Sequence, residues 1–292
     1  MTRRPVHAVA LLGVLALAAL LAARADVHPV KEPVQSAAST MPMPAHVVIV
    51  VEENHSNAGV VGNKSAPYIN SLAANGALMT QSFAVTHPSE PNYLALFAGS
   101  TFELASDACP VSAGAAPNLG SELLAAGYTF AGFSEDLPSV GATACSSGKY
   151  ARKHAPWVNF TNVPAAYSVP FDAFNARSEY ASLPTVSFVI PNLDNDMHDG
   201  TVAQADTWLA TNLAAYANWA KANNSLLIVT WDEDDTSANN QIPTVFYGAN
   251  VQTGTYSEPV SHYNVLSTLE QMYGLNKTAL AANAPAISDI WS

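Results

Sequence analysis

The sequence predicts an α/β domain with a mostly parallel central sheet. Apolar runs rich in β-branched residues alternate with helical segments along most of the chain. The first run, Val47–Val51, is apolar at every position, which is typical of a strand buried on both faces of a sheet. Acidic and amide residues directly follow three of these runs, as at the ligand-binding edge of an open α/β sheet.

The elements follow from hydrophobic period and from helix-stop signals. The predicted strands are 47–51, 78–85, 128–133, 185–190, 225–231 and 243–247, and the predicted helices are 66–74, 93–98, 119–126, 202–222 and 264–273. Glycines 76, 127 and 274 stand where three of the helices end. Helix 202–222 carries one apolar stripe, which we interpret as core packing: Trp208, Leu209, Leu213, Tyr216 and Trp219.

Residues 136–182 have a different texture, with several prolines, many aromatic residues and little regular period. They predict a loop-rich insertion that lies over one end of the sheet. The 292-residue chain has 11 Lys and Arg against 23 Asp and Glu, a formal charge of −12. This balance argues against a nucleic-acid partner or a broad anionic-lipid surface. An apolar content of 49% is sufficient for a folded core.

The N-terminus has the pattern of a secretory signal peptide over residues 1–25. Arg3 and Arg4 precede an apolar run, and Ala23-Arg24-Ala25 has the small-x-small form of a cleavage site. We expect cleavage near Ala25 and a secreted, periplasmic or cell-envelope protein. An uncleaved membrane anchor is the alternative, but the run is shorter than the ~20 residues of a span, and no second run exists. Residues 26–44 predict an extended leader, and residues 45–292 the folded domain.

The chain has two cysteines, Cys109 and Cys145. In an oxidising compartment, two cysteines and no others are most simply a disulfide. The alternative is a pair of buried, unpaired thiols.

Three acidic clusters are predicted to meet at one edge of the sheet. Glu52, Glu53, Asn54 and His55 follow the first strand, Asn192, Asp194, Asp196 and His198 follow strand 185–190, and Asp232, Glu233, Asp234 and Asp235 follow strand 225–231. Like charges gathered in this way repel one another unless cations neutralise them. The clusters therefore predict a divalent metal site, and oxygen ligands with imidazoles suit Zn, Mn, Mg or Ca.

Ser89 is the candidate nucleophile. It follows a predicted strand and opens a short helix, where orphan amides and the positive helix end favour a phosphate. A metal at its oxygen would lower the pKa of the hydroxyl. The alternative is that Ser89 only caps the helix. The chain has neither the G-x-S-x-G element of α/β-hydrolases nor a P-loop.

Five segments together resemble the bacterial secreted phosphoesterase family that contains acid phosphatases and phospholipases C. The segments are Glu53-Asn54, 87–93 (His-Pro-Ser-Glu-Pro-Asn-Tyr), 190–198, 230–234 (Thr-Trp-Asp-Glu-Asp) and 262–266 (His-Tyr-Asn-Val-Leu). The similarity spans nearly all of residues 45–275. It implies the alkaline-phosphatase-like three-layer sandwich and a hydroxyl nucleophile that forms a covalent phospho-enzyme.

The resemblance also implies roles for individual residues. Ser89 would be the nucleophile and Asn92 a phosphate ligand, and one metal site would be Glu53, Asn54, Ser89, Asp232 and Glu233. A second ion would be held by Asp194, His198 and His262. Many relatives have His where this chain has Glu233, so the resemblance does not decide whether the site binds one ion or two. With one ion, His198 or His262 would bind phosphate or donate a proton. His87 would contact phosphate or make a structural hydrogen bond.

The expected function is that of a phosphomonoesterase of the acid phosphatase type. Its expected substrates are small phosphate esters or phospholipid headgroups such as phosphatidylinositol 3-phosphate. The alternative is a phosphodiesterase of the phospholipase C type, with a lipid-binding wall formed by the insertion's aromatic residues: Trp157, Phe160, Tyr167, Phe171 and Phe174. A third and less favoured hypothesis is a non-catalytic binding protein at the cell surface. The length of the chain favours the monoesterase.

Overall fold

The computed structural model describes residues 41–175 and 179–292. The predicted signal peptide and residues 26–40 of the predicted leader lie outside the described residues. The strands are β1 His46–Glu52, β2 Ala77–Met79, β3 Ser82–Phe83, β4 Phe130–Ser134, β5 Ser146–Ser147, β6 Tyr150–Ala151, β7 Ser168–Pro170, β8 Val186–Ile190, β9 Ser225–Trp231, β10 Thr244–Gly248, β11 Gly254–Tyr256 and β12 Val260–Ser261. The helices are α1 Asn57–Val60, α2 Pro67–Asn75, α3 Ser89–Ala98, α4 Leu119–Ala125, α5 Asp172–Asn175, α6 Val202–Ala222 and α7 His262–Met272.

The main sheet has eight strands in the order β11-β2-β10-β9-β1-β8-β4-β7. The five strands β9, β1, β8, β4 and β7 are parallel to one another, and β10 pairs antiparallel with both β9 and β2. Strand β1 lies between β8 and β9, with Ile49 beside Phe188 and Ile228. The prediction of a mostly parallel sheet is confirmed. The carboxyl ends of β1, β8 and β9 lie at the same edge of this sheet.

Helices cover both faces of this sheet, so the predicted three-layer α/β architecture is confirmed. Alternate residues of β1 enter two separate cores because successive side chains of a strand point to opposite faces. Val47, Ile49 and Val51 contact the core formed with α3, α4 and α7. Val48 and Val50 contact the core formed with α2 and α6. Four of the five predicted stripe residues of α6 are buried in this second core, and Trp219 packs at its border.

Several element boundaries differ from the prediction. Segment 78–85 forms two short strands, β2 and β3, separated by a turn at Thr80 and Gln81. Helix α3 begins at Ser89, four residues before the predicted start. Pro91 is tolerated there because the first turn of a helix needs no backbone N–H donors. Helix α7 begins at His262, where Ser261 and Asn264 form a capping box.

Segment 136–182 contains more regular secondary structure than the predicted loop-rich insertion would have. It contains the hairpin β5–β6, several 3-10 turns and strand β7, which extends the main sheet as its edge. Trp157 packs directly on the sheet above Gly132 of β4, where a Cβ would overlap the indole ring. Trp157 and Phe160 of this segment belong to the core on the α3 side of the sheet, whereas Phe171 and Phe174 belong to the core on the α6 side.

Cys109 and Cys145 form a disulfide, as predicted. The bond joins the loop after α3 to the residue directly before β5. Arg152, just beyond β6, donates its backbone N–H to the carbonyl of Cys145 at 3.0 Å. Within the described ranges, no helix has the length and apolar character needed to cross a membrane.

Candidate active site

The candidate site lies at the edge where β1, β8 and β9 end. Main-chain hydrogen bonds continue past the strands: Glu53 donates to the carbonyl of Asp196 at 2.8 Å, and Asp232 donates to that of Glu52 at 2.9 Å. The three acidic residues Glu53, Asp196 and Asp232 therefore converge from three neighbouring strands. All three are buried, with 0 to 1% of their surface exposed.

Ser89 faces this edge from the start of α3. Its Oγ donates a hydrogen bond to Glu53 Oε2 at 3.2 Å, and the residue is 2% exposed. The cap position of α3 is occupied by Pro88, and no side chain caps the helix. Ser89 is thus oriented by a carboxylate of the site, and the alternative in which it caps α3 does not describe this geometry.

The second oxygen of Glu53 accepts a hydrogen bond from Tyr93 and lies close to the ring of His154. Tyr93, one turn after Ser89 on α3, donates its hydroxyl to Glu53 Oε1 at 2.6 Å. His154 Nε2 lies 3.0 Å from the same oxygen, and the imidazole stacks on the Tyr93 ring with centroids 5.0 Å apart. These contacts fix the orientation of the Glu53 carboxylate relative to Ser89.

Asp232 is held by backbone groups. Its Oδ1 accepts hydrogen bonds from the N–H of Asn54 at 3.1 Å and of Glu233 at 2.6 Å. Its Oδ2 is buried without an aligned hydrogen-bond partner among the described residues, and the hydroxyl of Ser89 interacts with this carboxylate as well as with Glu53. His262 Nε2 lies 2.7 Å from the Asp232 carbonyl oxygen, so this fully buried histidine contacts the main chain of the site.

A second group lies on the other side of Glu53. His154 Nδ1 is 3.3 Å from Asp196 Oδ2, and Asp196 Oδ1 accepts the backbone N–H of His198 at 2.8 Å. Donor atoms of Glu53, His154 and His198 all lie within 4.8 Å of one another, a spacing that could hold a metal ion. His154 Nε2 and Asp196 Oδ2 are close to polar atoms, but neither is aligned with a hydrogen-bond partner in the part of the chain described.

Burial shifts the pKa values of these groups strongly. The pKa of Glu53 is raised well above its usual value by burial and by the charges of Asp232 and Asp196. Burial also raises the pKa of Asp232 to about 8, with Glu233 adding repulsion, and that of Asp196 to about 7. Burial, with Lys153 and His198 nearby, lowers the pKa of His154 well below 6.5, which leaves the ring neutral.

The residues before Ser89 form the outer wall of the site. His87 bridges two acidic residues, with Nδ1 3.0 Å from Glu233 Oε2 and Nε2 3.2 Å from Asp234 Oδ1. Asn92 accepts the N–H groups of residues 85 and 86 and donates to the carbonyl of residue 86 at 2.8 Å. Asn92 Nδ2 also lies 3.3 Å from Glu233 Oε2. In this arrangement both side chains hold the segment that presents Ser89.

Lys153 is the cation of the site. Its Nζ lies 2.7 Å from Asp107 Oδ2 and 3.3 Å from His198 Nε2, and the side chain is 18% exposed. Asp107 in turn accepts the backbone N–H of Glu90 at 3.0 Å. Lys153 is therefore anchored to the first turn of α3, next to Ser89.

The predicted second-ion residues are not brought together as a group. The carboxylate of Asp194 is 39% exposed and pairs with Lys149 at 2.7 Å. Asp196, two residues later, takes the buried position beside Glu53. Of the predicted residues, the structure gathers Glu53, Ser89, Asp232 and His198, with Asn54 and Glu233 adjoining Asp232.

The residues of the site that lay outside the predicted catalytic and metal-ligand residues include Tyr93, Lys153, His154 and Asp196. Tyr93 stood in a quoted motif, but its spacing from Ser89 predicts only a shared helix face. Lys153 and His154 belong to the segment that showed no period. The composition did contain a signal for this segment. Three of the six lysines and arginines in the described ranges lie within residues 149–153, which indicates a local concentration of positive charge.

The donor set fits a divalent cation. Asp232 Oδ2, Asp196 Oδ2 and His154 Nε2 are buried polar atoms without an aligned partner among the described residues. Such atoms are costly unless a cation or another polar group satisfies them. Carboxylate oxygens with imidazole nitrogens are also a common ligand set for divalent metals.

Residues 63–276 match the model of the phosphoesterase family. This match covers more than half of the chain. The chain belongs to the phosphoesterase family. Membership confirms the prediction of a phosphoric ester hydrolase, and the matched residues include Ser89, His198 and Asp232 but not Glu53.

Curated relatives agree with this assignment. The chain is 69% identical to a phosphatidylinositol-3-phosphatase of Mycobacterium tuberculosis, over 99% of this chain and 95% of that protein. It is 29% identical to a probable acid phosphatase of Kluyveromyces lactis, over 93% of this chain and 73% of that protein. A crystal structure of a Vibrio parahaemolyticus protein of the alkaline phosphatase superfamily superposes with a TM-score of 0.57 at 14% identity. That superposition covers 85% of this chain and 71% of the other, and it confirms the alkaline-phosphatase-like fold.

Proposed function

We propose that the protein is a metal-dependent phosphomonoesterase in which Ser89 is the nucleophile. The observation that carries this proposal is the hydrogen bond from Ser89 Oγ to the buried Glu53 carboxylate, beside Asp232 at the carboxyl edge of the sheet. A serine held in this way among metal-type ligands suits phosphoryl transfer. It does not suit the His–Asp relay of carboxylic ester hydrolysis.

The residues that would hold a divalent ion are Glu53, Ser89 and Asp232, with Asn54 and Glu233 next to them in the chain. The ion would supply positive charge for the phosphate oxygens and lower the pKa of the Ser89 hydroxyl. Zn, Mn, Mg and Ca all accept such ligands.

The chain's own residues account for the remaining steps. Ser89 Oγ attacks phosphorus in line, so that a Ser89–phosphorus bond forms and the bond from phosphorus to the ester oxygen breaks. Glu53 accepts the hydroxyl proton through the hydrogen bond already present. The leaving oxygen takes a proton from the adjoining Lys153–His198 pair. Water then attacks the phosphoserine, so that a bond from the water oxygen to phosphorus forms and the Ser89–phosphorus bond breaks. Ser89 recovers its proton from Glu53, and the proton lost by the water returns to the Lys153–His198 pair.

For the substrate class, we propose phosphate monoesters, including the headgroup of phosphatidylinositol 3-phosphate. The high identity to the mycobacterial phosphatidylinositol-3-phosphatase supports this choice. The alternative diester reading relied on an aromatic lipid wall in the insertion. Four of its five residues are instead buried in the two cores, at 1 to 4% exposure: Trp157, Phe160, Phe171 and Phe174.

The decisive experiment compares the wild type with Ser89→Ala on p-nitrophenyl phosphate and on a short-chain phosphatidylinositol 3-phosphate. We expect kcat to fall by more than about 1,000-fold, because the covalent step is lost. Ser71→Ala, an exposed serine on α2, is the matched control and should keep full activity. Wild-type turnover by Ser89→Ala would contradict the proposal.

Two further comparisons separate the alternatives. Faster release of phosphocholine from phosphatidylcholine than of phosphate from a monoester would favour the diesterase. A wild-type protein that binds inorganic phosphate and hydrolyses neither substrate would favour the binding protein.

We also propose that the protein is exported and that residues 1–25 are removed. The charge and apolar pattern of that segment supports export, as does the disulfide. N-terminal sequencing of the protein from culture medium or envelope fractions should begin at Asp26. Recovery of an intact Met1 terminus would argue against cleavage.

A further inference from the structure

The second group of the site, on the His198 side of Glu53, contains a lysine where a second cation could bind. Lys153 Nζ lies 3.3 Å from His198 Nε2, which is one of the three donor groups with metal-like spacing. His198 Nδ1 lies 2.8 Å from Asp199 Oδ1. If Nδ1 carries the proton and donates it to Asp199, the lone pair of Nε2 faces the Lys153 ammonium.

Lys153 is held in this position by a chain of contacts. Asp107 binds Nζ with one oxygen and the backbone N–H of Glu90 with the other, at 2.7 and 3.0 Å. The disulfide of Cys109 lies two residues from Asp107, and its partner Cys145 accepts the N–H of Arg152. Both ends of the Asp107–Lys153 ion pair are therefore tied to the same cross-link.

Lys153 also supplies positive charge close to the buried carboxylates of the site. Its ammonium interacts electrostatically with Glu53 and Asp232. The neighbouring Arg152 is directed elsewhere, with Nη1 donating to the carbonyl of Thr143 at 2.8 Å. A dianionic phosphate placed among buried carboxylates is repelled unless fixed positive charge faces it.

We propose that Lys153 supplies the second positive charge of the site in place of a second metal ion, and that it contacts the phosphoryl oxygens of the bound substrate. The protein then binds one divalent ion per chain. This inference rests on the proposed phosphomonoesterase function, because it assigns a residue to the same site. It makes Lys153 a catalytic residue and Asp107 the residue that positions it.

The first test needs no variant. The wild-type protein is loaded with excess Mn²⁺ or Zn²⁺, desalted, and its metal content is measured by mass spectrometry. One ion per chain is the expected result. Two tightly bound ions per chain would overturn the proposal.

The second test measures inorganic phosphate binding to the metal-loaded protein by calorimetry. Lys153→Met keeps the length of the side chain and removes the charge, and we expect phosphate to bind about 10- to 100-fold more weakly. Lys153→Arg should recover part of the affinity. Lys64→Met is the matched control, since Lys64 is exposed and lies outside the site, and it should bind phosphate as the wild type does.

A Lys153→Met protein that folds with the wild-type melting temperature and binds phosphate with unchanged affinity would overturn the assignment. Activity gives an independent measure, with an expected loss of about 100- to 1,000-fold in kcat/KM. If the wild type hydrolyses no phosphate monoester, the proposed function fails, whereas phosphate affinity still decides whether Lys153 binds the anion.

Discussion

Replacing Glu52 by glutamine should change the stability of the protein relative to the wild type increasingly in favour of the variant as pH rises. Glu52 ends β1 and points to the α6 side of the sheet, opposite to Glu53, since Val48 and Val50 contact that core. It is fully buried, and neither carboxyl oxygen has a hydrogen-bond partner among the described residues. Burial and the charges of Asp196, Asp206 and Glu135 raise its pKa well above 4.5.

The size of the effect follows from proton linkage. A carboxyl group whose pKa is raised by folding is protonated in the folded state and ionised in the unfolded state over the interval between the two pKa values. Its contribution is present in full below the unfolded pKa and is lost as pH rises towards the folded pKa. Between the two pKa values the loss is about 1.4 kcal/mol for each pH unit.

Glu52→Gln removes this titration. Any fixed cost of burying the amide is the same at every pH, so it cancels when two pH values are compared. The difference in free energy of unfolding between variant and wild type should therefore move in favour of the variant as pH rises from 4.5, by about 1.4 kcal/mol per pH unit within the interval between the two pKa values.

The assay is urea unfolding followed by circular dichroism at pH 4.5, 5.5 and 7. The disulfide is kept intact, and EDTA is present throughout so that metal binding does not contribute. Glu103→Gln, an exposed glutamate, is the matched control and should show no such trend. A Glu52→Gln difference that is constant with pH would refute the reasoning, because it would show that folding does not raise the pKa of Glu52.

Two other predictions test the site and the core. His154→Ala should weaken divalent-metal binding by about 10- to 100-fold in calorimetry, because His154 orients the Glu53 carboxylate, whereas Asp194→Asn should leave the affinity unchanged. Equal losses of metal affinity in the two variants would show that the orientation of Glu53 by His154 does not determine metal binding. Gly132→Ala should lower the free energy of unfolding by about 1–3 kcal/mol, since the added Cβ overlaps the ring of Trp157. An unchanged urea midpoint would contradict that packing argument.

The sheet and its principal helices could be predicted from the sequence because their signals are local. Strand β1 is apolar at every position, and α6 repeats its apolar residues with the period of a helix. Both patterns follow directly from burial on two faces or on one stripe. Segment 136–182 has no such period, so its edge strand β7 and its buried aromatic residues follow from tertiary packing alone.

The candidate site divides in the same way. Glu53 and Asp232 could be predicted because each directly follows an apolar strand, and parallel strands bring their ends together. The sequence could not decide between Asp194 and Asp196, because the two lie in one loop. The Asp-x-x-x-His spacing favoured Asp194, whose side chain is 39% exposed, whereas the buried residue beside Glu53 is Asp196. His154 and Lys153 reach the site through non-local contacts with Tyr93 and Asp107, which no spacing in the sequence shows.

Glu52 and Glu53 show why the cations of the site matter for the fold as well as for the reaction. The two are adjacent in the chain and equally buried, but strand alternation directs them to opposite faces. Glu53 has Ser89, Tyr93, His154 and the charge of Lys153 around it, whereas the charged groups acting on Glu52 are all acidic. A cation that binds only the folded protein stabilises it by RT ln(1 + [ligand]/Kd), so metal loading should offset the repulsion at Glu53 and leave the cost at Glu52 in place. The pH dependence caused by Glu52 should therefore persist in the metal-loaded protein, and this separates a carboxyl group buried for function from one buried by the register of the strand.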